Sequence, residues 1–271
     1  THINEIVKNA EVILPKGTLK LGNRQMSEKT VKKMITSYSA NVKTWNNYIK
    51  KHGGTPFKNA FEMFTGDLNL VADYSEFYDF EEDSNYKTVG PILIDKVNFY
   101  SYSRLGNKKI LLSFGTSFKP SWVEKFLETL PTQYEYILTT CGVELKLPGP
   151  HIEVVNFVDF ETLENDIYFA IIHGGQGTVY AMASQGIPFI GIPFFNEQFW
   201  NLKKFSEKNC AYLVKDPNSV NIQEVMNYFE QHYSMFKDNI VELSRNIKCE
   251  SEGSLKKAEA EIEEFVRNRE L

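Results

Sequence analysis

Residues 169–201 read FAIIHGGQGTVYAMASQGIPFIGIPFFNEQFWN: an apolar run, a glycine turn, a helical segment, a second apolar run and a polar turn. Short apolar runs that alternate with helices are typical of parallel sheets covered on both faces. In such sheets ligands bind beyond the carboxyl ends of the strands, where His173 and the glycines after it stand. The stretch therefore predicts an α/β fold, a Rossmann-like parallel sheet with a ligand site at the glycine turn.

The same alternation continues on both sides of this stretch, so residues 108–271 are predicted to form one complete α/β domain. Further strands are expected at 109–115, 134–140 and 152–158. Helices are expected at 121–130, 177–185, 197–208, 221–232, 234–249 and 254–270, and the last of them is expected to pack back on the front of the chain.

Residues 1–95 have a different pattern. Apolar spacing predicts a helix over 27–52, Thr55-Pro56 predicts the start of a short helix, and strands are expected at 68–72 and 86–90. These strands are too few to close a sheet, so this segment is expected to be the C-terminal part of an incomplete domain. Residues 96–107 have weak periodicity and are interpreted as a linker.

Composition excludes several classes of function. The 271 residues carry a net charge of -5, which argues against nucleic-acid binding because a basic face is needed to neutralise phosphates. Cys141, Cys210 and Cys249 are scattered, which argues against a zinc site or a disulfide framework and favours a reducing cytoplasm. Neither a membrane-spanning run nor a signal peptide is found in the sequence.

The glycine turn has the chemistry of an anion site. A helix that begins at Gly177 or Thr178 would point unsatisfied N–H groups and its positive end at the crevice, and phosphate is the most common guest of such a site. The alternative is a tight turn with Thr178 as a helix cap and His173 as a structural histidine. The combination of these residues favours the anion site.

The polar turn adds Glu197, Gln198 and Asn201 at the start of the next helix, a set that suits a ligand with many hydroxyls. The alternative for Glu197 is an acid that the helix dipole favours at a helix start, and the alternative for Asn201 is an exposed residue without a ligand role. Glu197 also stands where a dinucleotide-binding fold carries its ribose-binding acid, which keeps a nicotinamide oxidoreductase open. Tyr180 stands where that fingerprint needs glycine, and the P-loop lysine is absent.

Taken together, HGGQGT, QGIPFIGIP and FFNEQFWN resemble the donor-site signature of the UDP-glycosyltransferase superfamily, the nucleotide-sugar glycosyltransferases of the GT-B fold. LLSFGTS (111–117) is similar to the first strand of that family's C-terminal domain. GDLNLVADYSEF and YKTVGPIL resemble the end of its N-terminal domain. The resemblance runs from about residue 64 to 214, and the PFF wording is similar to the sterol-glucosyltransferase branch.

The resemblance implies an inverting hexosyltransferase that uses a UDP-sugar as co-substrate, with no other cofactor and no metal. By it, His173 and Thr178 contact the diphosphate, Asn201 lies near the phosphates, and Glu197 and Gln198 bind the hexose hydroxyls. The donor-binding residues implied are Gly115, Thr116, Val158, His173, Gly175, Gly177, Thr178, Glu197, Gln198 and Asn201.

The sequence departs from the family in two places. Asp159-Phe160 replaces a Pro-Gln pair, and Ala181 stands where many relatives carry a ribose-binding glutamate, so UDP and dTDP both stay open. The family's catalytic histidine is not found: His2 and His52 have no motif around them, and His52 is interpreted as a helix-end residue. The base is expected upstream of Thr1.

Three functions stay open at this point. The first is a glycosyltransferase acting on a small or lipid-like acceptor, with glucose favoured as the sugar and its front part missing or supplied by a partner chain. The second is a catalytically silent nucleotide-sugar-binding or regulatory module. The third is the oxidoreductase, which Tyr180 disfavours.

Overall fold

The computed structural model describes residues 19–21, 24–26, 42–57, 66–77, 86–93, 109–116, 118–146, 149–159 and 166–269. The chain divides into two units, one made of Thr1–Ile92 with Gly253–Leu271 and the other of Leu93–Glu252. The domain boundaries expected from the sequence stay predictions. Across the described ranges, no helix combines the length and the apolar composition that crossing a membrane requires.

Described strands of the first unit form two short pairs. β1 (Leu19–Leu21) and β2 (Arg24–Met26) are antiparallel, whereas β3 (Asn69–Val71) and β4 (Tyr86–Thr88) are parallel. The centres of the two strands expected at 68–72 and 86–90 are therefore confirmed. The β1–β2 hairpin was not predicted.

Helix α1 (Val42–Lys51) covers the last part of the helix expected over 27–52, and residues 27–41 lie outside the described residues. The chain leaves the helix at Gly53, which has a φ of +77°. His52 Nδ1 donates to the Tyr48 carbonyl oxygen at 2.9 Å, which confirms the helix-end role of His52. The helix expected from Thr55-Pro56 falls largely outside the described residues. His2 falls wholly outside them.

The second unit is built on a parallel sheet of six strands, with the order β10-β9-β8-β5-β6-β7 and parallel pairing at every described neighbour. This confirms the predicted Rossmann-like sheet. Its strands are β5 (Lys109–Ser113), β6 (Tyr136–Thr139), β7 (Ile152–Val155), β8 (Ile167–Ile172), β9 (Phe189–Gly191) and β10 (Ala211–Leu213).

Helices follow most of these strands, at the expected places. They are α2 (Pro120–Glu128), α3 (Gln176–Ser184), α4 (Asn196–Glu207), α5 (Ile222–Gln231) and α6 (Tyr233–Arg267). The separation of 234–249 from 254–270 is wrong, because α6 is one helix of 35 residues. A single glycine, Gly253, costs a helix only about 1 kcal/mol and does not end it.

Central strands β5 and β6 are buried along their whole length, which explains the apolar residues at their centres. One core cluster joins these strands to α2 and α5 through residues such as Leu112, Leu138, Phe126 and Phe229. This packing fixes where the strands end, and therefore where the loops that follow them begin.

The order of the strands determines where a ligand can bind. From β5 the chain adds β6 and β7 on one side, and then returns to place β8 on the other side of β5. Strand order therefore reverses between β5 and β8, and in such sheets the crevice at the carboxyl ends of these two strands is the preferred ligand site. Gly115 and His173 follow β5 and β8 at that edge.

Candidate functional site

His173 is held against the end of β5 by two contacts to one carbonyl oxygen. Its backbone N–H donates to the Ser113 oxygen at 3.1 Å, and its Nδ1 lies 3.2 Å from the same oxygen. Because a carbonyl oxygen can only accept, Nδ1 carries the hydrogen. In the neutral ring Nε2 therefore presents a lone pair, and it becomes a donor only when the ring is protonated.

Two glycines leave room around Nε2. A Cβ atom at Gly115 would lie 2.7 Å from Nε2, and one at Gly175 would lie 2.6 Å from it. Both distances are shorter than real Cβ contacts, so neither position accepts a side chain while the ring keeps this place. The requirement for glycine on both sides of the ring agrees with the LLSFG and HGG motifs.

Burial lowers the pKa of His173 from its ordinary value, because the charged ring loses its water. The hydrogen bond to the Ser113 carbonyl and the negative charge of Glu197 act in the opposite direction. The free site therefore favours a neutral ring, and a nearby anion would favour the charged ring.

The N-terminus of α3 supplies further donors beside His173. The helix begins at Gln176 and Gly175 is its cap, without a side-chain hydrogen bond to the first turn. In the part of the chain that the structure describes, the N–H groups of Gly175, Gly177 and Thr178 have no acceptor. Free N–H groups at the positive end of a helix can bind an anion.

Helix α4 brings Glu197 and Asn201 together at the end of β9. Asn201 is buried, and its Nδ2 donates to Glu197 Oε1 at 2.7 Å and to the Gly174 carbonyl oxygen at 2.9 Å. Glu197 is exposed, and its Oε2 has no donor among the described residues. One oxygen of this carboxylate is thus free to accept a hydrogen bond from a ligand.

Gln198 has a structural task that the sequence did not reveal. Its side chain is 4% exposed, and its Oε1 accepts the Phe194 N–H at 2.8 Å and the Phe195 N–H at 3.3 Å. Within the described ranges its Nε2 has no acceptor. Of the Gln198 side chain, only the Nε2 hydrogens are left for a ligand.

The other predicted residues are less closely joined to this centre. Thr116 is exposed directly after Gly115. Val158 is 2% exposed and follows β7, two strands from β5 in the sheet. Asp159 is next to it, and Phe160 lies outside the described residues. The roles of the predicted residues toward a ligand stay predictions.

Sequence reasoning missed two features that shape the site. The Ser113 carbonyl holds His173, and the Leu202 side chain packs where a Cβ of Gly174 or Gly191 would lie. A backbone carbonyl leaves no signal in a sequence, and Leu202 is indistinguishable from any other core leucine. In the ranges described, no group of three histidine, cysteine, aspartate or glutamate residues is placed to hold a metal ion.

Comparison with known sequences gives a match to part of the chain. The family model described as UDP-glucoronosyl and UDP-glucosyl transferase matches residues 168–267. Human UDP-glucuronosyltransferase 2B17 is 32% identical over 77 residues, which are 28% of this chain and 14% of that protein. The chain therefore spans a small part of the length of the curated relatives that it matches.

Solved structures share the fold at low identity. The glycosyltransferase of kitacinnamycin is 17% identical with a TM-score of 0.66, and the match covers 90% of this chain and 67% of that one. The spinosyn rhamnosyltransferase SpnG, solved with thymidine diphosphate, is 16% identical with a TM-score of 0.54, over 68% and 54%. The sterol-glucosyltransferase branch stays a prediction. Residues 168–267 thus match the UDP-glucoronosyl and UDP-glucosyl transferase family, and the fold of the chain is that of the GT-B glycosyltransferases.

Proposed function

We propose that this chain binds the donor in a glycosyltransferase that moves a hexose from a nucleotide diphosphate sugar to a hydroxyl group. One observation carries the proposal: at the switch point of the sheet lie His173 Nε2 and three N–H groups at the start of α3 that have no acceptor among the described residues, with Glu197 at the end of the next strand. This arrangement suits a ligand that carries both an anionic group and a neutral group with several hydroxyls. A nucleotide sugar has both.

The diphosphate half is supported by the donors around the glycine turn. In the proposed transfer, the acceptor oxygen forms a bond to the anomeric carbon while the bond from that carbon to the phosphate oxygen breaks. The electron pair leaves with the phosphate, and the acceptor proton goes to a base. Fixed N–H groups and a protonated His173 would stabilise the charge that grows on the leaving phosphate.

The sugar half is supported by a matched acceptor and donor. Among the described residues nothing donates to Glu197 Oε2 and nothing accepts from Gln198 Nε2, so the first can accept from a hydroxyl and the second can donate to one. Hydroxyl groups need both kinds of partner, which a polyol site must hold rigidly. We propose a hexose in this position, with glucose as the first candidate.

We propose UDP as the nucleotide, with transfer by inversion, no metal and a small or lipid-like acceptor. SpnG is solved with thymidine diphosphate, so dTDP is the competing nucleotide. The catalytic histidine is proposed to lie upstream of Thr1 or in a partner chain. The three cysteines are free thiols, which supports a reducing, cytoplasmic setting.

Calorimetry on the 271-residue chain tests the donor site directly. UDP and UDP-glucose should bind with dissociation constants between about 1 mM and 1 µM, and EDTA should leave both unchanged. NADH should not bind. Absence of binding by UDP-glucose, UDP, dTDP-glucose and dTDP would contradict the proposal, and preference for NADH would favour the oxidoreductase. Donor binding without UDP release, when acceptors are added, would identify a binding module.

A further inference from the structure

Asn201 uses both hydrogens of its side-chain amide inside the protein. One contact goes to the carboxylate of Glu197 and the other to the carbonyl of Gly174, at 2.7 and 2.9 Å. The residue is 5% exposed, so water cannot readily replace either acceptor. Because both hydrogens are taken, this amide has no donor left for a phosphate.

The contact to Gly174 determines the direction of a neighbouring N–H group. In a trans peptide the C=O of one residue and the N–H of the next point in opposite directions. Because the Gly174 carbonyl points at Asn201, the Gly175 N–H points away from α4. This N–H is one of the groups without an acceptor at the start of α3.

The glycine turn has little freedom to adopt another orientation. Gly174 has a φ of +92°, a conformation that favours glycine, and a Cβ there would lie 2.5 Å from Leu202 and 2.8 Å from the Gln198 carbonyl oxygen. The turn thus packs directly on the first two turns of α4. Without Asn201, however, no donor among the described residues holds the Gly174 carbonyl.

The contact to Glu197 orients the carboxylate that is proposed to bind the sugar. A glutamate that is exposed at a helix start has several rotamers available, and it loses rotamer freedom when a ligand orders it. A charge-assisted hydrogen bond from Asn201 orders the carboxylate in advance and leaves Oε2 available. Asn201 therefore touches the phosphate-binding turn and the sugar-binding carboxylate at once.

We propose that Asn201 is a positioning residue that couples the phosphate and sugar subsites, without itself touching the donor. This inference rests on the proposed function. Asn201→Ala should reduce the affinity for UDP-glucose about tenfold more than the affinity for UDP. A tenfold difference is on the scale of the coupling measured between residues in contact. Asn201→Asp should be worse than Ala for both ligands, because its carboxylate would face two acceptors.

A double-mutant cycle with Glu197 separates positioning from general damage to the fold. In a Glu197→Ala background the extra loss for UDP-glucose should vanish, because the carboxylate that Asn201 orients is gone. Asn227→Ala on α5 is the matched control, since Asn227 is an exposed helical asparagine that accepts from Gln223. It should bind both ligands like the wild type.

If the wild type binds none of UDP, UDP-glucose, dTDP and dTDP-glucose, the proposed function fails; if it binds only the dTDP pair, the same comparison is made with dTDP and dTDP-glucose. If the wild type binds both and Asn201→Ala weakens them equally, or if the extra loss persists without Glu197, the positioning role is wrong. Near-ultraviolet circular dichroism checks folding. If the alanine variant does not fold, Asn201→Ser keeps one donor hydrogen and undergoes the same cycle.

Discussion

His173 donates its Nδ1 hydrogen to the Ser113 carbonyl, so Nε2 can donate to an anion only when the ring is charged. Burial lowers the pKa of the free ring, and Glu197 is the charged group that opposes this. The folded free protein therefore binds this proton less readily than the unfolded chain. His173 contributes stability above a pH of about 6.5, and that contribution is lost as the pH falls toward the lowered pKa.

The negative charge of a bound diphosphate should raise the pKa of the His173 ring, so donor binding should take up a proton. UDP-glucose suits the measurement because its phosphates are both esterified and do not titrate near neutrality. Its affinity should increase by up to about tenfold per unit as the pH falls from about 8 to about 6. Calorimetry in two buffers of different ionisation enthalpy counts the protons, and His173→Gln should abolish the uptake. Zero uptake by the wild type would contradict a charged ring in the complex.

The start of helix α4 depends on Gln198, whose Oε1 accepts two backbone N–H groups. Gln198→Ala should lower the free energy of unfolding by about 1–3 kcal/mol, because two part-buried backbone donors lose their acceptor. Gln198→Glu keeps an acceptor at the positive end of a helix and should cost less. It removes the Nε2 donor, so UDP-glucose should still bind more weakly.

Urea denaturation checks both variants. The matched control is Gln223→Ala in α5, where the amide contacts the exposed Asn227 side chain, and its effect should stay within about 0.5 kcal/mol. If Gln198→Ala were as stable as this control, Gln198 would not organise the helix start.

The sequence predicted the elements well where a physical pattern marks them. Strands β5, β6 and β8 have apolar centres because they are largely buried, and the motif glycines mark the turn before α3. Strand β10 was missed because three residues at a sheet edge have no periodicity. The tasks of Gln198 and Asn201 could not be predicted, because an amide has the same chemistry toward a backbone group as toward a ligand.

At the scale of the whole molecule, strand order accounts for the position of the site. The reversal between β5 and β8 places Gly115 beside His173, although 58 positions of sequence separate residue 115 from residue 173. The spacing of the motifs along the chain does not predict that these two residues are neighbours, whereas the resemblance to a known family does. The catalytic base and the domain boundaries stay predictions.

We propose that one crevice recognises a diphosphate through His173 and a hexose through Glu197. Titration calorimetry of UDP and UDP-glucose against the His173→Ala and Glu197→Ala variants tests it. Matched controls are His232→Ala at the end of α5 and Glu207→Ala at the far end of α4, where Glu207 pairs with Lys203 on the surface. Both controls should bind like the wild type.

Glu197→Ala should weaken UDP-glucose by about 10- to 150-fold and leave UDP nearly unchanged, since only the sugar can make this charge-assisted hydrogen bond. His173→Ala should weaken both ligands alike, since both carry the diphosphate. Equal losses of both ligands in both variants would show that Glu197 acts through the fold, and no loss in either variant would contradict the site.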